Sequence, residues 1–122
     1  MAEAVVSDIR EYIDANERSP YKNWFNALNA QAAAKVTVVI TRISRGNFSR
    51  VKGVGGGVFE YTMDFGPGYR IYFGKDGERL VILLGGGTKK RQDQDIRQAQ
   101  LNWEDYKRRK KEEENRATNQ RL

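Results

Sequence analysis

Arg70 is the residue of this chain best suited to chemistry on an anion. It lies in the run Asp64-Phe65-Gly66-Pro67-Gly68-Tyr69-Arg70-Ile71-Tyr72-Phe73. Apolar and polar residues alternate there, so Tyr69, Ile71 and Phe73 take one face of a predicted strand and Arg70 and Tyr72 the other. A guanidinium is planar, permanently charged and able to grip two phosphate oxygens at once. Two more cations, Lys89 and Lys90, follow the next predicted strand. The chain has neither histidine nor cysteine. The usual neutral-pH base and the usual metal ligands are therefore absent, as are thiolate sites and disulfides.

Charge is unevenly spread over the 122 residues, whose net value is +6. Positions 18–59 carry seven basic residues (Arg18, Lys22, Lys35, Arg42, Arg45, Arg50, Lys52) and no carboxylate. That pattern fits a polyanionic partner, nucleic acid first and an acidic protein second; the plainer reading is a basic solvated face. No apolar run approaches the ~20 residues of a membrane helix, and the first residues lack the order of a secretion signal.

The elements that must position these groups start from the meander at Phe59–Lys90. Phe59–Phe65, Tyr69–Phe73 and Leu80–Leu84 read as three successive strands, joined by Gly66-Pro67-Gly68 and by Asp76-Gly77. In the first of these strands Glu60, Thr62 and Asp64 would form a wet face. Residues 4–13 fit either a helical face or an edge strand. Ser19-Pro20 starts a helix running to about Leu28. A second helix, capped by Asn29, runs from Ala30 to a stop at Gly46, with Ala32, Val36, Val39, Ile40 and Ile43 inward and Lys35, Arg42 and Arg45 outward. Phe48–Val54 reads as a short strand. Gly85-Gly86-Gly87-Thr88-Lys89 has a faint look of a nucleotide loop but lacks its spacing. From Lys89 to about Arg109 a helical stripe of Ile96, Ala99, Trp103 and Tyr106 repeats, and residues 110–122 read as a charged, disordered tail after one domain of residues 1–109.

The D-F-G-P-G-Y-R-I-Y-F run, together with Gly46-Asn47, the stretch Val51–Glu60, Leu83–Lys90, Gln92 and Asp95-Ile96, resembles the addiction-module killer proteins, a HigB-like branch of the RelE/ParE superfamily of toxin–antitoxin toxins. The resemblance runs from Ser19 to Tyr106. It implies an α+β, RelE-like domain: a twisted antiparallel sheet of about four strands, two N-terminal helices packed on it and a C-terminal helix. Residues 4–13 then become a strand. It also implies a cytoplasmic toxin and a cognate helix-turn-helix antitoxin from the adjacent gene. The implied activity is a metal-independent messenger-RNA endoribonuclease, on or off the ribosome, needing no cofactor. Arg70 would stabilise the transition state, a role worth roughly 3 kcal/mol for one donor. Lys89 would hold phosphate or donate a proton, and Glu60 would be the general base. Lys52, Lys90, Arg50 and Arg91 would bind RNA, and Tyr72 would stack on a base or donate a hydrogen bond. The alternatives are a non-enzymatic toxin binding DNA gyrase or another protein, and an inactive relative that only binds RNA or antitoxin.

Overall fold

The computed structural model describes residues 6–120. The order is β1 (Asp8–Glu11), α1 (Pro20–Asn26), α2 (Ala30–Ser44), β2 (Val51–Gly55), β3 (Val58–Thr62), β4 (Arg70–Lys75), β5 (Leu80–Gly87), a 3-10 turn (Lys89–Arg91) and α3 (Gln92–Gln120). This is an α+β domain around one five-stranded sheet, in the order β1-β5-β4-β3-β2. The sheet is mixed. β2 to β5 form an antiparallel meander, and β1 joins β5 in parallel, Asp8 opposite Leu80 and Glu11 opposite Leu83. The expectation of about four antiparallel strands is corrected on both counts by this fifth, parallel edge. Of the predicted segment 4–13, residues 4 and 5 lie outside the described residues.

Local chemistry explains the helix starts. Ser19 Oγ accepts from the Lys22 amide at 3.0 Å, with Pro20 in the first helical position. Asn29 Oδ1 accepts from the Ala32 amide at 2.8 Å. α2 stops where Gly46 takes a φ of 78°.

Each face of the sheet carries its own core. α1 and α2 cover one face, where Val36, Val39 and Ile43 meet Tyr61, Ile71, Phe73 and Leu83. α3 covers the other, where Ala99 and Trp103 meet Val58, Tyr72, Ile82 and Leu84. Burying one such apolar side chain fully contributes about 1.5–3 kcal/mol. Strand alternation decides which side each residue serves, so Tyr61 and Ile71 go to the α2 side and Glu60, Arg70 and Tyr72 to the α3 side.

The glycine triplet closes both layers onto β5. A Cβ on Gly86 would sit 2.3 Å from the Trp24 ring, and one on Gly87 would sit 2.0 Å from Asp95 Oδ2. These residues belong to a strand, and their small size is what admits α1 on one side and α3 on the other. The faint nucleotide-loop pattern is thereby explained by packing.

The expected disordered tail is also corrected: α3 runs unbroken through 110–120, and only 121 and 122 fall outside the described residues. The cause is composition, since Lys, Glu, Arg, Ala and Gln favour helix and no Gly or Pro interrupts the segment. Two polar knots fasten the helix before it leaves the sheet. Tyr106 Oη donates to Asp76 at 2.5 Å and Lys110 Nζ lies 2.7 Å from the same carboxylate. Tyr12 Oη donates to Asp105 at 2.7 Å, and Arg109 donates to that carboxylate as well. Among the described residues no helix is long and apolar enough to cross a membrane.

Candidate functional site

The ladder lines up the polar residues in two rows beneath the start of α3. Lys52, Glu60, Tyr72 and Gly85 face one another across β2, β3, β4 and β5, and Thr62, Arg70 and Gly87 form the next row. Glu60 is the centre. It is fully buried, so the expected wet face of β3 is corrected at this position. The cause is long-range: α3 lays its first turn over β3, and Gln92 Nε2 donates to both Glu60 oxygens, at 3.2 and 3.0 Å.

A buried carboxylate needs paired charge and donors. Lys52 Nζ lies 3.6 Å and Arg70 Nε 3.7 Å from Glu60 Oε1, and Thr62 Oγ1 donates to the same atom at 3.3 Å. Arg70 therefore pairs across the strands to Glu60, the alternative to a phosphate-gripping guanidinium that the neighbouring acids Glu60 and Asp64 leave open in the sequence. Its side chain is 10% exposed and its Nη1 donates to the Gly68 carbonyl at 2.7 Å. It is the first residue of β4.

Gly68 joins Arg70 to Lys89. Its φ of +74° needs glycine, and the space beside it is bounded by Arg70 Nη1 at 3.2 Å and Lys89 Cβ at 3.4 Å from where a Cβ would stand. The Lys89 amide also donates to the Pro67 carbonyl at 3.4 Å. The Gly66–Gly68 turn thus touches the Arg70 guanidinium on one side and the base of the Lys89 side chain on the other. Beyond Lys89, the exposed Lys90, Arg91 and Arg97 line a hollow of about 440 Å³ with Gln92, Asp93 and Gln94.

Tyr72 lies below Glu60 and is fully buried, so stacking on a base is corrected: neither ring face reaches solvent. Among the described residues its hydroxyl finds no hydrogen-bond partner, and neither does Arg70 Nε. Burial first, and then the charge of Glu60, pushes the Tyr72 hydroxyl well above its ordinary pKa. Burial likewise raises Asp95, which packs on Gly87.

The structure brings together Lys52, Glu60, Arg70 and Lys89, with Lys90 and Arg91 at the rim. It does not bring Arg50 to them. Arg50 pairs with Asp64 at 3.7 Å and lines a separate groove against α2. The residues that local pattern did not mark as functional are Gln92 and Gly68. Gln92 acts on a partner 32 positions away, so no short-range spacing signals it. Gly68 carried a signal in the Gly-Pro-Gly turn, whose sharp geometry was legible but not its aim. Among the described residues there is no cluster of three or more His, Cys, Asp or Glu that could hold a metal ion.

No protein-family model matches the chain. Over 82 residues it is 45% identical to an uncharacterized protein of Haemophilus influenzae (strain KW20 Rd), an alignment covering 66% of this chain and 83% of that protein. Identity at that level over most of the relative leaves one conclusion: the chain belongs to the family of that Haemophilus influenzae protein.

Proposed function

We propose that the chain is a RelE/ParE-type toxin that cleaves messenger RNA without a metal. The observation that carries this reading is the convergence of Arg70 and Lys89 on Gly68, next to the Glu60–Lys52 pair and the cationic rim of Lys90 and Arg91. The α+β layering, with α1 and α2 on one face of the sheet and α3 on the other, supports this reading.

In this mechanism the cationic rim binds the RNA backbone by charge. The 2′-oxygen attacks the neighbouring phosphorus and its proton passes to water. The edge of Arg70 stabilises the added negative charge. The bond from phosphorus to the 5′-oxygen breaks, and Lys89 supplies the proton that the departing oxygen takes. Glu60 is buried and engaged by four side chains, those of Gln92, Lys52, Arg70 and Thr62, so it acts here as the group that orients Arg70 and not as the base. The antitoxin from an adjacent gene, the ribosome and a cytoplasmic setting belong to the same reading, through the family resemblance.

The second reading is a toxin that binds DNA gyrase or another protein and cuts nothing. The burial of Arg70 and its pairing with Glu60 favour it, because a guanidinium so engaged presents only an edge to a phosphate. Induction of the chain in a culture lacking its neighbour gene separates the two. The nuclease reading expects growth arrest with fragmented transcripts, both lost in Arg70→Ala while circular dichroism shows a folded protein. Full toxicity of Arg70→Ala with intact transcripts overturns it. Double-strand DNA breaks with intact RNA establish the second.

A further inference from the structure

The cationic side of α2 frames a groove that the nuclease reading does not use. Lys35, Val38 and Arg42 follow one another at helical spacing along α2, and Arg50 closes the far side. The floor is apolar: Val38 and Val39 from the helix, Tyr61 and Met63 from the β3 side, and Phe65 just beyond. The cavity measures about 280 Å³, room for a large aliphatic or aromatic side chain. Val38 is 50% exposed there, an uncovered apolar residue within reach of three cations. One acid, Asp64, shares the groove, and Arg50 already faces it at 3.7 Å.

We infer that this groove docks an acidic amphipathic segment of a protein partner, one apolar side chain entering between α2 and β3 while flanking carboxylates meet Lys35 and Arg42. Charge complementarity selects the sign of the partner. All three cations come from the 42-position stretch 18–59, which holds no carboxylate. The floor selects protein over nucleic acid. A phosphate backbone gains nothing from Val38, Val39 and Met63, and Phe65 is poorly placed to stack a base. Lys35 Nζ sits 4.6 Å from its ring centroid, and Tyr69 packs beside it at 6.2 Å. An amphipathic helix laid into such a groove anchors through apolar residues on one face.

The groove sits with the α2-side core, whereas Glu60 and Arg70 lie on the α3 side, so the inference stands whether or not the chain cleaves RNA. The test uses the full chain, isotope-labelled, titrated with a synthetic helical peptide in which leucines share one face and glutamates the other. Saturable shifts centred on Val38, Val39, Met63 and Phe65 are expected. Lys35→Glu/Arg42→Glu and Val38→Asp, all at exposed positions, are each expected to weaken binding at least about tenfold, and Lys111→Glu on the outer part of α3 to leave it unchanged. The inference is overturned if the charge reversals leave the affinity intact, or if the shifts centre elsewhere. It is also overturned if a lysine-for-glutamate version of the peptide or a single-stranded RNA binds the groove as well.

Discussion

Gln92, in the first turn of α3, donates to both carboxylate oxygens of Glu60, a fully buried residue on an inner strand. Sheet and terminal helix are joined there by a charged group that only its partners make tolerable. Removing the acid strands Arg70 beside the empty place. Glu60→Ala is expected to cost about 3–5 kcal/mol in urea unfolding, and Gln92→Ala about 1–3 kcal/mol. The double variant should cost less than the two single losses together, because both act on one network. Additive losses would show the two groups to be independent.

At Gly86 and Gly87 substitution should fail by crowding, whereas a Cβ on Gly85 meets no atom within 4 Å. Gly86→Val drives methyl groups into the Trp24 ring, whose atoms already lie 2.3 Å from an added Cβ. The loss should be about 1–3 kcal/mol or more. Gly77→Ala meets no neighbouring atom, yet its φ of +72° makes it costly too, by a smaller amount. Thermal unfolding of both variants checks the order.

Acid should loosen the attachment of α3. Hydrogen bonds from Tyr12 and then Arg108 and Arg109 lower Asp105 from 3.8 to about 2, and Lys110 followed by Tyr106 lowers Asp76. Each folded-state pKa lies below its unfolded value. The stability these acids contribute is thus present above pH 3.8 and is lost as pH falls below it, for Asp105 toward about 2. Asp105→Asn should flatten that acid limb in denaturation measured against pH. At the alkaline end Tyr21 is raised from 10.0 to about 12, by burial and then by Glu11. Its contribution holds below pH 10 and fades toward 12, a limb that Tyr21→Phe should remove.

The outer part of α3 should be dispensable for folding. The helix is 29 residues long, about 44 Å at 1.5 Å per residue, and residues 111–119 are exposed on every side. Ending the chain after Lys111 should change stability by no more than about 0.5 kcal/mol. Ending it after Asp105 removes the Tyr106, Arg109 and Lys110 contacts and should cost at least about 2 kcal/mol.

Signals that act within a few residues were legible in the sequence. The Ser19 and Asn29 caps reach three positions along the chain, and the alternation of Tyr69–Phe73 states its two faces directly. Glu60 was misplaced because alternation on one strand carries no notice of a helix arriving from 32 positions downstream. The same distance hid the meaning of Gly86 and Gly87, whose reasons are Trp24 and Asp95. The lack of apolar residues in 110–120 points to a disordered tail, whereas backbone preference settles its form as helix.

The parallel pairing of β1 with β5 has a consequence for synthesis. Residues 8–11 can find their ladder only after residues 80–83 have emerged, so β1 is made long before it can be seated. Until then its backbone donors and acceptors are satisfied by water, and a nascent chain halted before β5 offers an open edge to any chaperone or aggregate that meets it.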